Sequence, residues 1–195
     1  MSDQIARLFV EIDEVTPTVA RRVDVPFDIR LDDLHFVLQI AIGWRNCHPF
    51  EFRPADSPGK AWGLVDRDDP QSTRLPAEQA TLADLTALGR TFHYDYVYGE
   101  DWTHTVVLES LTPAVPGSSY PLLVSAEGRC PPADIGGIDG YETFLRALSD
   151  PNHLHHEAMR DWDDPDFDPH KVDEAAIRTN LANLARYLGR RKPQQ

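Results

Sequence analysis

The chain has 195 residues, of which 41% are hydrophobic and 26% are charged, a composition that predicts a soluble globular protein of one domain. Its formal net charge of −13 argues against a nucleic-acid partner, because phosphate binding requires clustered lysine and arginine side chains. No apolar run approaches about 20 residues and no signal peptide begins the chain, so we expect a cytoplasmic protein with no membrane partner.

Alternating apolar and charged residues predict a hairpin at the start of the chain, with strands at 5–15 and 19–25. Apolar residues at helical spacing predict a helix at 31–42, which the following glycine ends. A short strand is expected at 48–53. The segment 56–81 contains several proline and glycine turns, so we interpret it as a loop.

The middle of the chain predicts a short helix and a second hairpin. The helix occupies 81–85 and has a threonine cap. Aromatic residues at alternate positions predict a strand at 92–98, followed by a turn at 99–101, a return strand at 103–111 and an edge strand at 121–125. We expect one face of the hairpin to pack against the helix of Leu34 and Leu38, and this face carries Tyr94, Tyr96 and Tyr98.

The stretch 127–162 predicts a loop that leads into two short helices. The Cys-Pro-Pro run at 130–132 cannot be helical, because each proline lacks an amide donor. Asp139, with a glutamate three residues later, has the spacing of a capping box, and Asp150 before a proline predicts the second cap. A last amphipathic helix is predicted at 172–188. In the second helix we expect one buried face formed by Leu154, Ala158 and Trp162.

The order of these elements predicts an α+β fold. We expect a mixed, mostly antiparallel sheet with helices mainly on one face and further helices at the C-terminus. The strand–strand–helix–strand opening is compatible with a β-grasp-like topology. A single domain should span 1–195, with a sheet-rich part at 1–126 and a helical part at 127–188.

Two short basic clusters interrupt the acidic sequence. The first is Arg21-Arg22 on the second predicted strand, and the second lies at 186–192. Cations at the end of a helix complement its dipole, which explains the second cluster without a nucleic acid.

Motifs along nearly the whole chain, over about 5–184, resemble one family. They are TPTVARRVDVP, LHFVLQIAIGW, HPFEF, YGEDWTH, EGRCPPADIGGIDGYETFLRALSDPNHLHHEAMRDW and FDPHKVD, and together they resemble the plasmid pRiA4b ORF-3-like family. Its members are labelled as passenger or resolvase-like proteins of insertion elements, so the resemblance implies a mobile-element association but no mechanism. The chain departs from the family pattern at Ala20, where tryptophan is common, and at Val97 and Glu100, where aspartate is common.

The residues do not support the resolvase chemistry that this label implies. A serine recombinase needs an N-terminal nucleophilic serine surrounded by arginines. After Ser2 the first serine is Ser57, which lies in a proline–glycine loop without an arginine cluster. The tyrosines lie among acidic residues, so a tyrosine nucleophile would lack the cations that a phosphodiester requires.

Large aromatic side chains together with histidine and cysteine supply the candidate site. Ligand grooves are apolar with few polar groups, and the residues that we expect to line one are Trp44, His48, Trp102, His104, Cys130 and Asp134. Histidine also binds zinc, and the candidate ligands are His104, His153 and His156. The chain contains neither CxxC nor HExxH, so we predict no cofactor and interpret His104 as a buried, hydrogen-bonded histidine.

These observations favour a non-catalytic binding or interaction module, whose partner would be a protein or a small-molecule ligand. The alternative is an enzyme of unknown class with a site of histidine, cysteine and carboxylate groups, acting with or without a metal. The two hypotheses differ in whether His48, His104 and Cys130 should meet in one pocket.

Overall fold

A computed structural model of the protein describes residues 4–57, 59–65, 74–96, 102–162 and 164–190. Within these ranges the chain forms eight strands and five α-helices, with a 3₁₀ turn at Ala77–Gln79. The elements in chain order are β1 (Gln4–Ile12), β2 (Ala20–Pro26), α1 (Leu31–Ile42), β3 (Phe50–Pro54), β4 (Trp62–Gly63), β5 (Leu75–Pro76), α2 (Leu82–Thr86), β6 (Thr91–Tyr96), β7 (Trp102–Pro113), β8 (Leu122–Glu127), α3 (Gly137–Ser149), α4 (His156–Arg160) and α5 (Glu174–Arg190).

The described strands form one sheet in the order β5-β4-β3-β6-β7-β1-β2-β8. Neighbouring strands are antiparallel except for β4 and β5, which are parallel, so the predicted mixed, mostly antiparallel sheet is confirmed. The predicted edge strand β8 ends the sheet. The strand–strand–helix–strand opening is present, and β3 is separated from β1 by β6 and β7.

One face of the sheet carries the core, as the alternating sequence of β1 predicted. Leu8 and Val10 are fully buried, while Arg7 on the opposite face forms an ion pair of 2.8 Å with Asp24 of β2. Buried residues of α1, α3 and α5 belong to the same core, which confirms the α+β fold. The predicted turn at 99–101 and Tyr98 lie outside the described residues.

The local sequence predicted the N-cap of α2 correctly and that of α3 incorrectly. Thr81 and Asp84 form a capping box at α2, which confirms the predicted threonine cap. The capping box predicted at Asp139 is wrong, because α3 starts at Gly137 and its N-cap, Gly136, has a left-handed backbone (φ 93°) and no side-chain cap. Glycine adopts this conformation without a steric penalty, so the helix begins before Asp139 is reached.

The prediction of a helix capped by Asp150 is also wrong. Asp150 follows α3 and accepts a hydrogen bond from the amide two residues later, while α4 begins only at His156 and has five residues. Because α4 starts later than predicted, the face of Leu154, Ala158 and Trp162 is not buried. Leu154 is 90% exposed, Trp162 is 48% exposed, and Met159 packs against the core instead.

The last helix, α5, has the predicted amphipathic character. Ile177, Leu181 and Ala185 are buried on one stripe, and Leu184 packs partly against the core. Of the helices that the structure describes, not one has both the length and the apolar character that crossing a bilayer requires.

Candidate functional site

The centre of the candidate site is the loop that follows α1, residues 43–48, which we call the Trp44 loop. Gly43 ends α1 in a left-handed conformation (φ 116°), as the sequence predicted. Asn46 is also left-handed (φ 52°), which is uncommon for a residue other than glycine. The loop therefore has an irregular backbone that its surroundings must support.

A ring of four hydrogen bonds holds the Trp44 loop against α1 and β6. The Tyr94 hydroxyl donates to His35 Nδ1 (2.7 Å) and accepts from Gln39 Nε2 (2.8 Å). His35 Nε2 donates to Asn46 Oδ1 (2.5 Å), and the Asn46 amide donates to Gln39 Oε1 (2.8 Å). Burial lowers the pKa of His35 to about 4, so the neutral imidazole serves both as donor and as acceptor.

Two further side chains of the hairpin hold the same loop. The Tyr96 hydroxyl accepts from the amides of Cys47 (2.8 Å) and His48 (3.3 Å), and burial raises the pKa of Tyr96 to about 12. His104 Nε2 accepts from Trp44 Nε1 (3.1 Å), while His104 Nδ1 donates to the Tyr94 carbonyl (2.9 Å). Burial lowers the pKa of His104 to about 4, so this fully buried imidazole is neutral. It is the buried, hydrogen-bonded histidine that we predicted.

The Trp44 loop separates two cavities. The larger is a cleft of about 830 Å³, and its lining includes Trp44, Arg45, Cys130 and the first residues of α5. The smaller is a pocket beneath the turn Ala133–Asp134, and its walls include Trp44, His48, Tyr96, Trp102 and Asp134. Trp44 belongs to both cavities.

The six predicted binding residues therefore lie around one loop but not in one cavity. Four of them line the smaller pocket, namely Trp44, His48, Trp102 and Asp134. Cys130 lines the larger cleft, and His104 is buried in the sheet with its ring bonded to Trp44. The enzyme hypothesis required His48, His104 and Cys130 to meet in one pocket. They do not: His48 lines the smaller pocket, Cys130 lines the larger cleft and His104 is buried in the sheet.

Polar groups at the rim of the smaller pocket lie close together. His48 Nε2 is 3.5 Å from Asp134 Oδ1, and the Asp134 side chain is 75% exposed. The Cys47 thiol lies 3.6 Å from the Tyr96 hydroxyl. The arrangement allows an ion pair across the mouth of the pocket whenever His48 is protonated.

The predicted zinc ligands are not brought together. His104 has both ring nitrogens in hydrogen bonds inside the sheet. His156 Nδ1 donates to the Ala147 carbonyl (2.8 Å), and His153 Nδ1 accepts from the amide of His155 (3.2 Å). Among the described residues no group of three or more histidine, cysteine or carboxylate side chains is arranged to hold a metal ion.

The larger cleft carries charges of both signs. Arg129 pairs with Asp164 (2.9 Å) and lies 4.5 Å from the centre of the Phe167 ring. Asp173 caps α5 by accepting from an amide of its first turn (2.9 Å). Lys171 and Arg45 add positive charge to the lining. A ligand in this cleft would meet both carboxylates and cations.

Arg21, the first residue of the basic cluster on the second predicted strand, is a buried structural residue. It is 1% exposed, and its five N–H donors meet five backbone carbonyls, those of Ala20, Ala41, Ile42, Glu127 and Gly128. Burial lowers the pKa of Arg21 to about 10. Because Ala41 and Ile42 end α1, the guanidinium fixes the point from which the Trp44 loop leaves the helix.

Sequence reasoning missed the residues that hold the loop. His35 and Gln39 are polar residues four positions apart on the buried face of α1. Such a pair in an apolar helix face needs hydrogen-bond partners elsewhere in the fold, because unpaired polar groups are costly to bury. This spacing is the signal that could have identified them.

Comparisons with known proteins find a matching family model, a related sequence and a similar solved structure. A family model described as plasmid pRiA4b ORF-3-like protein matches residues 4–176. The uncharacterized protein y4hQ of Sinorhizobium fredii is 42% identical over 166 residues, which are 83% of this chain and 82% of that protein. The crystal structure of MM3350, a protein of unknown function from Methanosarcina mazei Go1, is similar with a TM-score of 0.81 and 27% identity, and the match covers 93% of this chain and 99% of that one.

Proposed function

The chain belongs to the plasmid pRiA4b ORF-3-like family, and we propose that it is a non-catalytic binding module of the cytoplasm whose ligand contacts the Trp44 loop. The observation that supports this proposal is the set of hydrogen bonds that holds the loop between two cavities. A loop held in position before the ligand arrives loses less conformational entropy on binding.

The state of the buried histidines supports binding rather than catalysis. A general acid or base must exchange protons near the working pH and reach the substrate. His35 and His104 have pKa values of about 4, and both ring nitrogens of each are bonded to other protein groups. These imidazoles therefore serve to position the loop.

The larger cleft is the place where we propose that most of the ligand lies. Its volume of about 830 Å³ is within the range of about 300–1,000 Å³ that is usual for small-molecule sites. Its lining combines Trp44 with cations such as Lys171 and carboxylates such as Asp166. A small molecule or a peptide that carries both apolar and charged groups would complement this surface.

Fragment screening by NMR would test this proposal. Amide shifts caused by bound fragments should concentrate at 43–48 and at Arg129, Cys130 and Ala133. Trp44→Phe should weaken binding while leaving the fold intact. The apolar groove formed by Leu145, Leu148 and Phe167 provides an internal control surface. Shifts that concentrate in this groove, or that survive Trp44→Phe unchanged, would contradict the proposal.

We propose further that the partner is not a nucleic acid, because a net charge of −13 repels phosphates. A mobility-shift titration with duplex DNA should show no binding at physiological salt. Sub-micromolar binding that is lost when Arg190, Arg191 and Lys192 are replaced by alanine would reverse this view. An association with insertion elements is supported by the family resemblance alone, and the genes that flank family members would test it.

One observation favours the alternative of an enzyme. Cys47, His48 and Asp134 line the same small pocket, with a carboxylate 3.5 Å from the imidazole. If His48 acts as a base for the Cys47 thiol, its replacement should slow the alkylation of Cys47 by iodoacetamide. If His48→Gln leaves the rate of Cys47 alkylation unchanged, the enzyme alternative loses its support.

A further inference from the structure

We propose that the turn Ala133–Asp134, here called the tip, is a lid that opens locally over a floor of three aromatic rings while the Trp44 loop stays in place. We propose that the open lid admits an apolar part of the ligand, and this role rests on the proposed function. The opening itself can be measured without any ligand.

The floor beneath the tip is aromatic and closed. Trp44 lies 5.5 Å from Tyr96 and 5.4 Å from Trp102, measured between ring centres. The three residues are only 8%, 3% and 3% exposed, and the tip forms the opposite wall of their pocket. Tyr96 and Trp102 are almost fully buried, so a ligand reaches these two rings only after a wall of the pocket moves, whereas Trp44 also lines the larger cleft. What the movement uncovers is aromatic surface, which favours apolar and aromatic groups.

The two walls of this pocket are held very differently. On one side, Asn46 and Cys47 of the Trp44 loop make hydrogen bonds of 2.5–2.8 Å to His35, Gln39 and Tyr96. Two of these three partners, His35 and Gln39, are buried on α1. Breaking such bonds exposes polar groups that have no alternative partner nearby, so this wall should open only with the whole domain.

On the other side, the tip has two polar contacts among the described residues, and both are long. Trp162 Nε1 donates to the Ala133 carbonyl at 3.3 Å, and Asp134 lies 3.5 Å from His48. Trp162 is 48% exposed and the Asp134 side chain is 75% exposed, so water competes for both contacts. Exposed contacts of this length contribute little to stability.

The residues around the tip limit the movement to the tip itself. Pro131 and Pro132 before it are buried, and Ile135 after it belongs to the hydrophobic core. Asp134 has a left-handed backbone (φ 57°), and Gly136 follows with φ 93°. A short segment between buried anchors, with a strained residue at its centre, is suited to a local change of backbone angles.

Hydrogen exchange of the Trp44 indole N–H provides the test, because Trp44 is a wall of the pocket and this proton is bonded to the buried ring of His104. In Asp134→Asn the exchange should be faster by about two- to five-fold, the range expected for loss of one exposed ion pair. Asparagine also adopts left-handed backbone angles, so this substitution removes the charge without changing the turn. The equilibrium constant for global unfolding should rise by no more than the same factor, because the unfolded chain lacks this contact too.

Two comparisons make the result decisive. The Asn46 and Cys47 amides should exchange much more slowly than the Trp44 indole, both in the unsubstituted protein and in Asp134→Asn, because they require global unfolding. Asp164→Asn, which removes an exposed carboxylate elsewhere in the larger cleft, should leave the Trp44 indole unchanged. If the indole exchanges only with global unfolding in every variant, or no faster than the Asn46 amide, there is no separate lid. Fragment binding in the larger cleft could persist in either case, so failure of the lid and failure of the proposed function are distinguishable.

Discussion

The Trp44 loop and the segment 153–162 both combine histidines with a tryptophan, and their environments are opposite. Trp44 is 8% exposed and its indole donates to a fully buried histidine, whereas Trp162 is 48% exposed and donates to a backbone carbonyl at 3.3 Å. The first segment packs between a helix and two strands, and the second lies on the surface. Enclosure rather than residue type therefore decides which histidines become structural.

The largest expected difference in stability is between a buried arginine, Arg21, which fixes the end of α1 before the Trp44 loop, and its exposed neighbour Arg22. Arg21→Met should lower the free energy of unfolding by about 4–5 kcal/mol, because five carbonyls lose the donors they now have. Arg22→Met on the same strand should cost less than about 1 kcal/mol, since Arg22 forms an exposed ion pair with Glu109. Urea denaturation measures both. Equal losses would show that enclosure does not separate the two arginines.

The two tryptophans test the comparison directly. Trp44→Ala should cost about 3–4 kcal/mol, because a large buried ring and its bond to His104 are lost. Trp162→Ala should cost at most about 1 kcal/mol, because almost half of this side chain is already exposed. Thermal and urea unfolding of both variants check this ranking. A loss at Trp162 as large as that at Trp44 would mean that the C-terminal segment also contributes to the core.

Acid should destabilise the folded protein, because the two enclosed histidines, His35 and His104, are neutral in the folded state. His35 and His104 have folded-state pKa values of about 4 against 6.5 for an ordinary histidine, so the unfolded chain binds more protons between these values. Each histidine therefore contributes stability above pH 6.5 that is lost as the pH falls to 4, at about 3 kcal/mol apiece. Unfolding free energies measured across this range should fall steeply, and less steeply in His104→Asn. An unchanged slope in that variant would contradict the burial argument.

The smallest expected effect is the difference in stability loss between cap substitutions at the first turns of α2 and α3. Thr81→Ala should cost about 1 kcal/mol, because Thr81 and Asp84 form a complete capping box at α2. Asp139→Ala should change stability by only a few tenths of a kcal/mol, as α3 is capped by Gly136 without a side chain. Paired urea denaturation curves resolve this difference. Equal losses would place a capping role at Asp139 that the structure does not show.

Much of the framework could be predicted because it depends on periodicity within short segments. The strands β1, β2 and β8, the helix α1 with its end at Gly43, and the amphipathic stripe of α5 all follow from local patterns. Two errors lie at Asp139 and Asp150, which have the residue types of helix caps but do not serve as caps. In both places a backbone conformation, left-handed at Gly136 and turn-like after Asp150, moved the helix start. A third error is the segment 56–81, which we interpreted as a loop although it contributes the short strands β4 and β5 to the edge of the sheet.

The amino-acid sequence by itself determined most of the elements of this protein, its family and the residue types of its candidate site, because these depend on patterns along the chain. Only the tertiary structure decided that Trp44 would meet His104, and that His35 and Gln39 would hold Asn46 through Tyr94. Those contacts join residues as many as 60 positions apart. The packing of α1 against β6 and of the Trp44 loop against β7 creates them, and with them the low dielectric that keeps both histidines neutral.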